Sequence, residues 1–260
     1  MKSKKKPLIL ITNDDGIFAS GIQHLAKAMI SIGDVYVVAP DQPQSGMGHA
    51  VTIRQIIRAY RSSFPVKVKE AFCCSGTPVD CVKLALNNLL PARPDIIVSG
   101  INHGSNASVN VIYSGTMSAA VEGALEKIPS VGFSLLDFSP EANFTASVPV
   151  AQRVVKNVLK HGLPEGVCLN VNIPKLPLKK IKGIRYCRQA KGHWAEGFEK
   201  RTDPHGGNYY WMSGQYVLED NREDADENAL AAGYVSVVPV HADLTDYNTL
   251  KKINQWSSEI

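Results

Sequence analysis

The chain has 260 residues, of which 44% are hydrophobic and 20% charged, and its formal net charge is +4. That is too much apolar material and too little charge for a disordered protein, and 20 glycines and 15 prolines are too few for a collagen-like or low-complexity chain. The length suits one large α/β domain or a core with an appended module, and so small a positive charge is a weak signal for nucleic acid.

The charge owes its sign to Lys2, Lys4, Lys5 and Lys6, without which 24 basic residues face 24 acidic ones. A solvated terminus is expected there rather than a targeting signal or an anionic anchor. The apolar run Leu8-Ile9-Leu10-Ile11 meets Thr12-Asn13-Asp14-Asp15 at once, too soon for the roughly 7–15 apolar residues of a signal peptide. No run approaches the roughly 18 apolar residues of a membrane span, so a soluble, cytoplasmic protein is expected. Five cysteines with no C-x-x-C spacing suggest buried small side chains rather than a disulfide or zinc framework.

In chain order, residues 7–12, 34–39, 94–99, 130–135 and 167–173 read as buried strands. Residues 20–31 place Ile22, Leu25, Ala26, Met29 and Ile30 at helical spacing, with Gly33 as a stop. Residues 78–90 follow Thr77-Pro78, an N-cap with proline at the first helical position, and 116–127 and 145–161 also read as helices. Strand–helix alternation of this kind predicts a mainly parallel sheet between two helical layers. Segment 51–72 interrupts it and reads as a hairpin excursion. Composition shifts near residue 180: seven aromatics crowd residues 186–216 among glycines, which reads as a β-hairpin arm suited to oligomer contact rather than base stacking. Residues 219–227 carry six acids and read as a solvated loop and helix start. Residues 234–240 return as a strand, followed by a terminal helix. The expected division is an α/β core over 1–180 and an oligomerisation part over 181–260.

Ligands of a parallel α/β sheet bind at the carboxyl ends of its strands. Polar clusters follow three of them: Asn13-Asp14-Asp15-Gly16, then Asp41 through His49, then Gly100 through Asn106 running on to Tyr113–Thr116. Adjacent Asp14 and Asp15 repel each other unless a cation offsets them. An ordinary turn at Gly16 is the plainer reading of Asp-Asp-Gly alone. With Ser45 and Asn102 on neighbouring strand ends, an all-oxygen site for a hard divalent cation is the better one. Ser114-Gly115-Thr116 opens a helix, where free N–H groups favour an anion, although a simple cap by Ser114 or Thr116 would use the same residues. Metal plus phosphate cradle is the minimum apparatus for phosphoester hydrolysis. No P-loop, dinucleotide fingerprint, G-x-S-x-G or H-E-x-x-H is present. An aspartyl-phosphate mechanism would need an acid two positions past the nucleophile, where Gly16 and Ile17 stand. A nucleotide-binding module without turnover is the alternative from another class.

Five stretches are similar to the SurE (stationary-phase survival protein) family of metal-dependent 5′-nucleotidases: ITNDDGIFASGI (11–22), VVAPDQPQSGMGHAVT (37–52), GTPVDCVKLAL (76–86), SGINHGSNASVNVIYSGTMSAAVEGAL (99–125) and GYVSVVPVHADLTDY (233–247). The resemblance implies a Rossmann-like three-layer core and a C-terminal hairpin exchanged between subunits of a homodimer or homotetramer. It implies one divalent cation on Asp14, Asp15, Ser45 and Asn102, which the oxygen ligands suit to Mg²⁺ or Mn²⁺, and the catalytic base is expected at Asp14 or Asp15. Asn106, Ser114, Gly115 and Thr116 would line the phosphate pocket. Broad action on nucleoside 5′-monophosphates follows from the same likeness. One departure is visible, Ser108 and Asn110 where the family pattern suggests glycine and an acid.

Overall fold

The computed structural model describes residues 6–258 of the chain. Lys2, Lys4 and Lys5 of the basic tail lie outside the described residues, and Lys6 is exposed. Strand β1 (Leu8–Thr12) leads through a polar turn into α1 (Ser20–Met29), which buries Ile22, Leu25, Ala26 and Met29 of the predicted stripe, while Ile30 caps the helix end and is exposed because the last turn leaves the sheet. Gly33 ends that turn by donating to Met29 O at 3.1 Å, and β2 (Asp34–Pro40) follows. β3 (Ala59–Arg61) and β4 (Glu70–Cys74) form the hairpin expected in this region, but β4 also pairs in parallel with β2. The segment is therefore no excursion: its second strand is a member of the central sheet.

Helix α2 (Pro78–Leu84) has a full capping box, Thr77 and Asp80 each accepting the other's backbone N–H, and winds on as a π turn to Leu89. Strand β5 (Ile96–His103) runs four residues past its expected end. Gly100 allows this, because φ there is +122° and a Cβ would stand 2.3 Å from Phe133 O. A bulge between Ser99 and Asn102 leaves Asn102 and His103 on the strand rather than in a loop after it. Then come α3 (Asn110–Tyr113), α4 (Gly115–Leu125), β6 (Ser130–Leu135), α5 (Ser147–His161) and β7 (Val167–Ile173). The rest of the chain supplies β8 (Ile184–Tyr186), β9 (Gly192–Thr202), β10 (Asn208–Leu218), α6 (Asp226–Ala231), β11 (Val235–His241) and α7 (Tyr247–Ile253).

Nine strands form one sheet in the order β3-β4-β2-β1-β5-β6-β7-β11-β8. Pairings are parallel except β3–β4 and β7–β11. Helices α1 and α5 pack together on one face and α2 and α4 on the other, which makes the expected three layers. Strands buried on both faces, such as β1 over residues 9–11, read as unbroken apolar runs for this reason. β9 and β10 pair only with each other and expose Phe198, Tyr210, Trp211 and Met212, so the aromatic segment is a two-stranded arm. The five cysteines are free, and Cys74, Cys81, Cys168 and Cys187 are buried. Among the described residues no helix is long and apolar enough to cross a membrane.

The acidic stretch 219–227 departs from the solvated loop its composition suggests. Asp220 and Asp226 are 5% and 0% exposed. Arg188 grips Asp220 with two guanidinium nitrogens at 2.6 and 2.9 Å, Arg222 adds a third contact, and the carboxyl is held far below its ordinary range. Composition counts the acids and cannot register a partner as distant as Arg188.

Candidate active site

The chain runs from β1 to β2 on one side of β1 and later returns to place β5 on the other, so the crevice between the ends of β1 and β5 is the sheet's topological switch point. The three polar clusters meet there. Gln44 N donates to Asp14 O at 2.7 Å, Ile17 N to Pro40 O at 2.9 Å, and His103 N reaches Asp15 Oδ2 at 3.4 Å. Ser45 follows Gln44 directly and stands exposed at the rim. Asn102 spends its amide N–H₂ on His103 O and Gly104 O at 3.2 and 3.0 Å, which leaves its oxygen as the accepting end.

Asp14 is 3% exposed, and its pKa is pushed up to about 6, first by burial and then by the charge of Asp15. Burial also raises Asp15, against an opposing pull from His103. Among the described residues neither carboxylate makes an ion pair of the kind that Asp137 or Glu122 makes. Beside them Thr12 Oγ1, Asn13 Oδ1 and Ser99 Oγ are buried without a partner. Two carboxylates without a cation, a hydroxyl and a carboxamide oxygen fit a hard divalent ion, and no three His, Cys, Asp or Glu converge among the described residues to suit a softer one.

Helix α4 points its first turn at Asp14. Gly115 lies so close that a Cβ would stand 2.8 Å from Asp14 Cβ. The Thr116 hydroxyl and backbone N–H both donate to the Asp14 carboxylate. Thr116 thus braces the carboxylate as well as standing in the helix turn that the resemblance assigns to the phosphate pocket. Ser114 does cap the helix, accepting from Met117 N at 3.0 Å, a bond that uses its oxygen and not its O–H. Asn106 is buried across the crevice. Its Nδ2 donates to Ser134 Oγ at 2.9 Å, its N to Asn172 Oδ1 at 2.8 Å, and its carbonyl accepts from Asn170 at 2.7 Å.

The model of the family described as Survival protein SurE matches residues 9–196. The chain belongs to the SurE family. It is 57% identical over 98% of its length to a protein named 5′-nucleotidase SurE of Christiangramia forsetii, of which it covers 98%. It is 56% identical to the protein of the same name of Flavobacterium johnsoniae, over 97% of each. The crystal structure of the SurE protein from Aquifex aeolicus superposes with a TM-score of 0.83 at 39% identity, covering 96% of this chain and 100% of that one.

Within this SurE fold the Ser108 and Asn110 departures acquire a structural account. Ser108 adopts φ +54°, the left-handed conformation that a glycine would take freely. Its N–H donates to Asp226 Oδ2 at 2.9 Å and its hydroxyl to Ala190 O at 3.0 Å, contacts that hold it there. Asn110 Oδ1 accepts from Trp194 Nε1 at 2.8 Å and so ties the arm's base to α3. Sequence reasoning missed Asp226, which supports the Asn106 loop from 118 residues away. It also left His49 and His103 open. His49 Nε2 pairs with buried Glu122 at 2.9 Å, whose other oxygen Lys83 holds. The His103 ring meets Phe144 edge-on at 4.8 Å. No spacing rule links such pairs, since only the folded sheet brings them together. His205 is exposed at the arm's tip, and His241 accepts from Asp243 N at 2.9 Å.

Proposed function

We propose that the chain is a divalent-metal-dependent 5′-nucleotidase that hydrolyses nucleoside 5′-monophosphates to nucleoside and phosphate, with broad specificity. The observation that carries this reading is the packing of the α4 N-terminus, at Gly115 and Thr116, directly on the uncompensated Asp14 carboxylate. It sets a cation site and an anion site side by side. The names of the relatives agree with it.

Asp14, Asp15, Ser45 and Asn102 would hold one Mg²⁺ or Mn²⁺. When bound, such an ion polarises the phosphoryl group and makes nearby water more acidic. The residues do the remainder. The Ser114 hydroxyl, the free N–H of Gly115 and the Asn106 region hold the phosphoryl oxygens and face the charge that grows on them. Thr116 fixes the Asp14 rotamer. Asp14 or Asp15 takes the proton of the attacking water, which then passes to the departing 5′ oxygen.

The test is phosphate release from 5′-AMP with Mn²⁺ or Mg²⁺, followed by EDTA. Chelator-sensitive release is expected, and nucleotide binding with no release at any metal concentration would overturn the reading in favour of a binding module. Gly115→Ala is expected to lower kcat about a hundredfold, because the new methyl must displace Asp14 from its seat. Activity within threefold of the parent would show that the contact does not matter.

The pH dependence has a definite sign. Asp14 titrates higher in the folded state than its ordinary 3.8, so its contribution to stability is complete below pH 4 and falls away as pH rises through about 6. A divalent cation competes with that proton. The rise in Tm on adding 1 mM-scale Mn²⁺ is therefore expected to be small at pH 5 and large at pH 7.5. An equal rise at both values would contradict the assignment of Asp14 as ligand.

The arm supports a homodimer or homotetramer, since its exposed aromatic faces have the composition of an interface core. We also propose residues 1–180 as the catalytic core and 181–260 as the oligomerisation part, although β8 and β11 of that part lie in the central sheet. A cytoplasmic location accords with the reading, and no nucleic acid polymer is expected as a partner.

A further inference from the structure

A large apolar ring stands at the crevice without a role in the chemistry above. Phe138, just past the end of β6, is 79% exposed. It is nevertheless not adrift. Three of its ring atoms lie over Gly104, where a Cβ would come within 2.1 to 2.7 Å of them, so only glycine at 104 lets the ring sit there. The residues on both sides of it are fastened. Asp137 accepts from Lys175 Nζ at 2.8 Å and from Ser139 N at 3.1 Å, and the Ser139 carbonyl pairs with His103 Nδ1 at 3.1 Å. Gly104 is tied to the same turn through its N–H on Leu135 O at 2.8 Å.

The position matters because Gly104 lies between Asn102 and Asn106, on the segment that meets Asp15 through His103 N. Adding the steps from Asp15 to His103, along one residue to Gly104 and out to the ring gives at most about 12 Å. That is the scale of a single nucleotide. A phosphate held between Asp15 and the α4 N-terminus would leave Phe138 within reach of its base.

We infer that Phe138 is the stacking shelf for the nucleobase of the substrate, an inference that rests on the proposed nucleotidase activity and adds to it the residue that reads the base. A ring offering a π-face discriminates weakly, because every base stacks. A shelf of this kind would favour nucleotides over simple sugar phosphates while remaining permissive among bases.

The experiment compares kcat/KM for 5′-AMP and for ribose 5-phosphate, which differ only by the base, in the parent, Phe138→Ala and Phe138→Trp. The parent is expected to prefer AMP, Phe138→Ala to lower the AMP to ribose 5-phosphate ratio roughly tenfold, and Phe138→Trp to restore it. An unchanged ratio in Phe138→Ala overturns the inference. So does an equal fall for both substrates, which would mark Phe138 as a prop for the Gly104 segment. If the parent releases phosphate from neither compound, the activity reading fails instead. The shelf is then judged on the same variants by calorimetric binding of AMP against ribose 5-phosphate, with the same ratio deciding.

Discussion

Asp14→Asn is expected to cut phosphate release from 5′-AMP at least about a thousandfold while making the metal-free protein more stable at pH 7.5. Both halves come from one fact. The Asp14 carboxyl is buried beside Asp15 and titrates near 6 rather than 3.8, so holding it ionised at neutral pH costs up to about 3 kcal/mol. Asparagine removes that charge, keeps an oxygen for the Thr116 hydroxyl, and preserves the volume that Gly115 was shaped to meet. It gives up one of the two carboxylates a divalent cation would need. Thermal unfolding in EDTA and phosphate release with Mn²⁺ check the two halves separately. Metal-dependent turnover near the parent level would sink the site assignment, and a lower Tm in EDTA would sink the electrostatic account.

Asp226→Ala carries the second large effect, on stability. The Asp226 side chain is fully buried and accepts three backbone donors, Ser108 N and Ala190 N at 2.9 Å each and Glu227 N at 2.8 Å. Removing it strands three N–H groups from three separate segments, those of Ser108 and Ala190 buried. A loss of roughly 3–5 kcal/mol is expected, read as a lower urea midpoint at an unchanged m-value. One offset is built in. Burial first and the Asp226 charge second push Glu227 up to about 7, and removing Asp226 lets Glu227 ionise more easily. Asp226→Asn should fall between parent and alanine, because an amide has one accepting oxygen rather than two. A loss below about 1 kcal/mol for the alanine variant would show that water satisfies those donors. Substrate affinity should fall as well, since Ser108 is held in its left-handed conformation by this carboxylate two residues after Asn106.

The two variants bracket what could be read before the fold was seen. Asp14 announces itself locally: a second acid follows it, a glycine turns the chain, and a buried strand precedes it. Asp226 announces nothing. It stands in a run of acids whose simplest reading is hydration, and its partners at residues 108 and 190 are invisible to any local pattern. Thr116 lies between these cases. Its place at a helix start was legible, but the partner of its hydroxyl was not, so the bracing of Asp14 went unforeseen. Asn102 was placed in a loop because strand-end statistics cannot anticipate a bulge at Gly100 that carries β5 four residues further.

Periodicity was enough to determine the three-layer α/β class and the aromatic arm, and strand-end chemistry singled out the two acids on which the proposed site rests. These depend on interactions within a few residues or on a repeat that survives without neighbours. Tertiary structure alone decided which residues keep that site in shape. Helix α4 abuts Asp14 because β1 and β5 became neighbours, Asp226 holds Ser108 because α6 folds back across the chain, and Phe138 rests on Gly104 because β5 and β6 pair in a shifted register. Each of these is a contact between segments far apart in sequence. Its energy comes from burial and hydrogen bonding that exist only once the sheet has closed around them.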